Sequence, residues 1–196
     1  TLDAENGYAQ LGYHGAGGGD IYGYAKGDIV VQATDGSDYA LIGNGTLGED
    51  VSGNETGNIY LLAAGDIQLN TNGDSDEPAT PWIGNSFGSS GVASGNLTIV
   101  AQDEGENCGT DDCDYGVGLM VLAALGSTSI PGSGGNVVVA FANPENNGSP
   151  VMTITDPFNY DSPHNLTVIS GNSLYVDNSL QNAGSGNITL ISGWNS

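Results

Sequence analysis

Three features of the sequence predict an all-β protein built as a parallel β-helix: a recurring tripeptide, apolar residues that alternate with a period of two, and abundant glycine. The tripeptide consists of glycine, then Asp or Asn, then a branched aliphatic residue. It begins at positions 19, 27, 57, 65, 95, 135 and 186, so that the intervals 19–57 and 57–95 are 38 residues and 95–135 is 40. Regular recurrence on this scale is typical of repeat architectures.

The residues that follow each tripeptide alternate as a strand with one buried face does. In GNLTIVAQ, the side chains of Leu97, Ile99 and Ala101 fall on one side and are predicted to be buried. In GNITLIS, Ile188 and Leu190 take the same buried positions. No segment has a helical period, and each of the 33 glycines would destabilise a helix interior by about 1 kcal/mol.

A sandwich, a propeller and a solenoid can each be built from short strands with glycine-rich corners, but the repeat favours the solenoid. A sandwich does not need the same tripeptide in each strand, and a propeller blade needs four strands per repeat. In a parallel β-helix, equivalent residues stack about 4.8 Å apart, so the Asp or Asn of each tripeptide is predicted to form a ladder of side-chain hydrogen bonds. We interpret each 38-residue period as two coils of about 19 or 20 residues, which predicts roughly eight to ten coils.

Composition limits the partners of the surface. Lys26 is the only basic residue besides two histidines, against 23 acidic residues, and the formal net charge is −22. Nucleic acid and anionic membranes are excluded as partners, since nothing neutralises phosphate. The longest apolar run, residues 117–126, is about half of a membrane span and is predicted to be a buried strand. We expect a single β-helix segment over residues 1–196, the mature portion or a fragment of a longer secreted protein.

The two cysteines, Cys108 and Cys113, lie in an acidic loop predicted over residues 103–115. Four intervening residues suit a local disulfide, which would indicate an oxidising compartment. A metal pair and two free thiols are the alternatives. A zinc site would need two more ligands, and His14 and His164 are both far away in sequence.

Oxygen-bearing side chains at alternate positions make Ca²⁺ the cofactor that the sequence suggests. The candidate ligands lie in two acidic segments: Asn70, Asn72, Asp74, Asp76 and Glu77 in the first, and Asp103, Asp111, Asp112 and Asp114 in the second. The spacing does not match an EF-hand. The alternative interpretation is that both segments are solvated acidic loops.

Sequons suggest glycans if the protein is secreted. Those at Asn96 and Asn187 occupy ladder positions, where the amide is already engaged. Asn44, Asn54 and Asn147 lie in glycine-rich segments and are the better candidates.

The tyrosines offer a second kind of candidate surface. Tyr22 and Tyr60 each follow an inward aliphatic residue, so their rings are predicted to point outward and to offer a stacking face to sugars. The alternative is that they only cover a strand face.

A polysaccharide hydrolase on the same fold is the minor alternative. A lyase is disfavoured because it needs a cation beside the substrate carboxylate, and Lys26 is the only one. A hydrolase needs only two carboxylates about 5 to 10 Å apart, but Asp20, Asp28 and Asp66 are explained by their corner positions. We therefore expect no catalytic residues and no enzymatic activity.

Two stretches carry a family resemblance. Residues 8–15, YAQLGYHG, and residues 39–45, YALIGNG, are each followed by paired Gly-Asp/Asn-Ile strands, and SGNITLISGWN follows near the end. In this order they resemble the shaft repeats of filamentous-haemagglutinin-type exoproteins, the large bacterial adhesins of the two-partner secretion class. The resemblance covers most of the chain and is clearest in residues 8–102 and 164–195.

The resemblance implies a right-handed parallel β-helix, a secreted protein at the cell surface, and attachment to a host or environmental glycan or receptor. On this interpretation the ligand is recognised by loops at 70–94 and 103–115. The alternative is a self-assembling extracellular filament stabilised by calcium, whose subunits bind copies of themselves through uncapped coil ends.

Overall fold

A computed structural model describes residues 1–5, 7–33, 39–45, 54–65, 67–71, 80–85, 93–102, 135–142, 151–154, 158–171 and 173–194. Within these ranges the chain is all-β, which confirms the predicted class. None of these residues belongs to a helix long and apolar enough to cross a membrane.

The described residues form nineteen short strands, as the two-residue alternation predicts. In chain order they are β1 (Leu2–Ala4), β2 (Tyr8–Leu11), β3 (Gly17–Gly18), β4 (Ile21–Ala25), β5 (Ile29–Ala33), β6 (Tyr39–Ile42), β7 (Glu55–Thr56), β8 (Ile59–Ala63), β9 (Ile67–Thr71), β10 (Thr80–Ile83), β11 (Ala93–Ser94), β12 (Leu97–Gln102), β13 (Val137–Ala142), β14 (Val151–Ile154), β15 (Phe158–Tyr160), β16 (Leu166–Ser170), β17 (Ser173–Val176), β18 (Leu180–Asn182) and β19 (Ile188–Ile191).

The strands belong to six sheets, and every described pair is parallel. Sheet A has the order β1-β5-β9, sheet B β10-β6-β2, sheet C β11-β7-β3 and sheet D β19-β16-β13-β12-β8-β4. Sheets E and F are the pairs β14-β17 and β15-β18. Because parallel neighbours need long crossover connections, each strand pairs with one that is distant in sequence.

The chain passes through these sheets in a repeated order. We call the stretch of chain that ends with each strand of sheet D a circuit. Up to β12 the order A, B, C, D occurs three times, and from β13 the described strands follow the order D, E, F twice before β19 returns to sheet D. Sheet D therefore links all the described circuits. Its register aligns six residues that each follow an Asp or Asn, five of them within the tripeptide and Leu166 after Asn165, which has no glycine before it. The six are Ile21, Ile59, Leu97, Val137, Leu166 and Ile188.

The prediction of two coils in each 38-residue period, and with it the estimate of eight to ten coils, is wrong. Asn58 lies over Asp20 in the adjacent circuit, 38 residues away, so one period makes one circuit. The error arose because the tripeptide begins strands in two different sheets. Ile21 starts β4 in sheet D, whereas Ile29, eight positions later, starts β5 in sheet A.

The core lies on the inward side of sheets A, B and D. Leu97, Ile99 and Ala101 are fully buried, as predicted, and they pack in one cluster with register partners that include Ile59, Leu61 and Val137. The final strand departs from its prediction. Ile188 packs against the cluster, but Leu190 is 43% exposed because β19 is the edge strand of sheet D and has no described neighbour beyond it.

Candidate functional site

A ladder of side-chain hydrogen bonds runs beside sheet D, and we call it the corner ladder. In each step the Oδ1 atom of one residue accepts the backbone N–H of its equivalent in the next circuit, at 2.7 to 3.0 Å. Its members, in order, are Asp20, Asn58, Asn96, Asn136, Asn165 and Asn187. This confirms the predicted ladder at the tripeptide positions.

Side-chain amides add a second bond in several steps of the corner ladder. The Nδ2 atom of Asn58 donates to Asp20 Oδ1 at 3.2 Å, and Asn96 Nδ2 donates to Asn58 Oδ1 at the same distance. A backbone hydrogen bond in the same step donates in the opposite direction: Ile21 N–H donates to the Asn58 carbonyl oxygen at 2.8 Å. Each step therefore fixes the register of two circuits by bonds in both directions.

Glycine precedes five of the six ladder residues, Asn165 being preceded by His164, and at Gly57 and Gly95 the corner leaves no room for a side chain. Gly57 and Gly95 have φ values of +129° and +120°, in the region that L side chains rarely adopt. A methyl group on Gly57 would overlap the carbonyl of Gly19, and one on Gly95 would overlap the carbonyl of Gly57. The tripeptide thus combines close backbone approach, a ladder bond and an inward apolar residue.

A second polar network lies inside the protein, and the sequence analysis missed it. Asn44 and Asn85 are 2% and 1% exposed. Asn44 Oδ1 accepts Tyr13 N–H at 3.0 Å, and Asn85 Oδ1 accepts Asn44 N–H at 3.0 Å. Their Nδ2 atoms donate to backbone carbonyl oxygens, including those of Gly19 and Gly57. The signal was present as Ile-Gly-Asn at residues 42–44 and again at 83–85.

Burial argues against a glycan on Asn44, which was one of the three predicted acceptors. Its Nδ2 atom already donates to the carbonyl oxygens of Gly19 and Thr56 at 2.9 and 3.1 Å. A buried amide with these bonds has neither the space nor the free hydrogens for a sugar. Asn54 is exposed and remains a candidate, and Asn147 lies outside the described residues.

Aromatic side chains lie on the first two circuits, in sheets B and D. Tyr22 and Tyr60 are register partners and are 75% and 40% exposed, which confirms their outward direction. Tyr8 stacks on Tyr39 with ring centroids 5.3 Å apart, and on exposed His14 at 5.0 Å. Both sheets therefore present exposed rings in an otherwise acidic molecule.

Glu55 is a buried carboxylate in β7. Its side chain is fully buried, and neither carboxylate oxygen has a hydrogen-bond partner among the described residues. Burial raises the pKa of Glu55 above its ordinary value of 4.5, and its own backbone N–H opposes this shift only in part. Burial therefore disfavours the charged form of Glu55 relative to an exposed carboxyl group.

The predicted calcium and disulfide residues fall almost entirely outside the described ranges. Asn70 is in β9, although only its backbone is described. The other candidates lie outside those ranges: Asn72, Asp74, Asp76, Glu77, Asp103, Cys108, Asp111, Asp112, Cys113 and Asp114. In the part of the chain that the structure describes, no group of three or more His, Cys, Asp or Glu residues could hold a metal ion.

Comparison of the chain with protein-family profiles, with curated proteins and with solved structures gave no match.

Proposed function

We propose that this chain is a right-handed parallel β-helix that serves as a non-enzymatic shaft in a secreted, surface-exposed adhesin. Parallel pairing throughout the described sheets and the repeated order of the first three circuits support the β-helix. A right-handed path is favoured because crossovers between parallel strands of one sheet are right-handed in about 98% of cases.

The observation that carries the proposal is the corner ladder, which runs unbroken beside the six strands of sheet D. At about 4.8 Å per strand, it ties together roughly 24 Å of protein along the stacking direction. Such a scaffold resists bending and shear. It suits a shaft better than an enzyme that must open and close.

The described surface supports attachment to a glycan more than attachment to a charged polymer. Exposed tyrosines such as Tyr22, Tyr24 and Tyr60 offer ring faces on which sugars stack. The net charge of −22 disfavours binding to sulfated or uronate-rich polymers. We therefore expect a neutral glycan as the ligand class for this face. Residues 70–94, predicted as one loop, contain β10 (Thr80–Ile83), so the further contact regions we propose are 72–79, 86–92 and 103–115.

The test is to incubate the immobilised 196-residue chain with a panel of neutral polysaccharides and to measure both retention and release of reducing ends. The proposal predicts saturable retention without cleavage, weakened in a Tyr22→Ser, Tyr60→Ser variant. Release of reducing ends would instead establish the hydrolase alternative. If no polysaccharide of the panel is retained, the adhesive role is contradicted.

A second candidate function is a self-assembling extracellular filament stabilised by calcium. Among the described strands, β4 and β19 each have a neighbour on one side only, and unpaired strand edges are templates for another chain. The test is thermal unfolding with and without millimolar Ca²⁺ or Mg²⁺, with electron microscopy of each sample. Stabilisation by calcium alone, together with filaments, is the expected result. Isolated particles with no shift in melting temperature would rule it out.

A further inference from the structure

We propose that Tyr8 and Tyr39 are a site of oxidative crosslinking, where a haem peroxidase and hydrogen peroxide join the two rings as dityrosine and so stabilise the contact between the first and second circuits. The inference rests on the strand register of sheet B and is independent of any adhesive role. It concerns the tyrosine that begins both YAQLG and YALIG, a repeated feature that neither proposed function uses.

The repeat brings the two tyrosines together. Tyr8 begins β2 in the first circuit, Tyr39 begins β6 in the second, and the two are register partners in sheet B. Their ring centroids are 5.3 Å apart, and the ring planes are within 12° of parallel. The third strand of the sheet has Thr80 at the same position. The row therefore contains one pair of tyrosine rings, already in contact.

The pair is within reach of an oxidant in solution. Tyr8 is 58% exposed, and Tyr39 is half-buried. Tyr8 is therefore oxidised first, and the stacked contact lets Tyr39 pass an electron to the Tyr8 radical, after which a second oxidation of Tyr8 leaves two radicals side by side. The rings must turn from face contact to edge contact to form the new bond. Tyr39, whose hydroxyl oxygen is buried, releases its proton in the same movement.

The chemistry balances with one molecule of peroxide. Each phenol loses one electron and one proton, and the two radicals couple through a new C–C bond between the ring carbons ortho to their hydroxyl groups. Each coupled carbon then gives up its proton and each phenol oxygen regains one, which restores both aromatic rings. In total two hydrogen atoms leave the protein, and they reduce one hydrogen peroxide to two molecules of water.

Other exposed tyrosines lack this arrangement, which makes the proposal selective. Tyr24 is 66% exposed, but its register partner is Leu62. Tyr22 and Tyr60 are register partners, but among the described residues their rings make no stacking contact with each other. The Tyr22 hydroxyl instead donates to Asp20 Oδ2 at 3.3 Å. Exposure alone therefore does not predict the crosslink.

Lys26 allows a single cut to report the crosslink. It is the only Lys or Arg of the chain, so trypsin divides the unfolded protein into residues 1–26 and 27–196. Tyr8 lies in the first fragment and Tyr39 in the second. A bond between them keeps the two fragments together after digestion.

The test is to treat the 196-residue chain at low concentration with a haem peroxidase and hydrogen peroxide, unfold it, digest it with trypsin and separate the products on a denaturing gel. We expect joined fragments of monomer size, blue dityrosine fluorescence and a mass lower by two hydrogen atoms. Tyr8→Phe keeps the ring but lacks the phenol, so the joined product should be lost. Tyr24→Phe is the matched control, which removes an equally exposed phenol and should retain the joined product.

The crosslinked chain should also unfold at a temperature higher by roughly 5 to 15 °C, because the new bond restricts the unfolded chain. Joined fragments in the Tyr8→Phe variant would show that the bond forms elsewhere and would overturn the proposal. So would a bond that forms only between molecules, or release of fragment 1–26 from the fully oxidised chain. A joined product with an unchanged melting temperature would overturn the stabilising role.

Discussion

The corner ladder contains one carboxylate, and adding a second beside it should destabilise the protein in a predictable way. Asp20 accepts a bond from Asn58 Nδ2 at 3.2 Å, and Asn58 accepts the equivalent bond from Asn96 at 3.2 Å. Asn58→Asp and Asn96→Asp therefore each remove one amide bond of equal length. Only the first places two carboxylates next to each other.

The magnitude follows from these contacts. Loss of the amide bond destabilises either variant by about 0.5 to 1.5 kcal/mol. Two charges about 4 Å apart repel by about 1 kcal/mol in water and about 4 kcal/mol at an effective dielectric constant of 20. Because the ladder is exposed, screening favours the lower value. We expect Asn58→Asp to be less stable than Asn96→Asp by about 1 kcal/mol, or roughly 2 to 4 °C in melting temperature.

The assay is thermal unfolding of both variants at pH 7 and pH 3, in 0.05 and 1 M NaCl. The gap should close at pH 3, where carboxylic acids are largely protonated, and should narrow at high salt. Equal destabilisation of the two variants at pH 7 would refute the reasoning. A gap that persists at pH 3 in 1 M NaCl would show that its cause is not charge.

Three further substitutions test the corner, the core and the buried carboxylate. Gly57→Ala should lower the free energy of unfolding by at least about 2 kcal/mol, because of backbone strain and overlap with the carbonyl of Gly19. Gly19 has open space around its Cβ position, so Gly19→Ala should change the free energy of unfolding by less than about 0.5 kcal/mol. Leu61→Ala should lower the free energy of unfolding, measured by chemical denaturation, by about 2 to 5 kcal/mol. Leu62 is half-buried and points outward, so Leu62→Ala should lower it clearly less. Since the pKa of Glu55 is raised, its contribution to stability should be fully present below about pH 4.5 and be lost as the pH rises through the folded-state pKa; Glu55→Gln should lessen the fall in the unfolding free energy over this range, and a pH profile identical to that of the unsubstituted chain would contradict it.

The corner ladder and the burial of alternate residues could be predicted because each depends on a local pattern. Gly-Asn-Leu at residues 95–97 contains the close approach, the ladder bond and the inward side chain in three consecutive positions. The circuit length could not be predicted in the same way. The same tripeptide starts strands in sheets A and D, and only the pairing of strands shows which copies stack.

The inner network and the exposure of Leu190 depend on information that no local pattern contains. Asn44 and Asn85 are buried because their partners are backbone carbonyl oxygens of other strands, including those of Thr56 and Ser94. Leu190 has the pattern of a buried residue and becomes exposed only because β19 lies at the edge of sheet D. Sequence periodicity gives the direction of a side chain, whereas burial also requires a neighbour.

Circuit length varies while the corner ladder remains in register, and this separates the structural role of the molecule from its variable surface. Successive ladder partners are 38, 38, 40, 29 and 22 residues apart. Shortening therefore changes what lies between one sheet D strand and the next, without breaking sheet D itself. The entropic cost of closing a loop rises only slowly with its length. The connecting segments can therefore lengthen or shorten with little effect on stability. Sheet D and the corner ladder thus form the part that must be kept, and the segments between their strands are where new binding surfaces can be added.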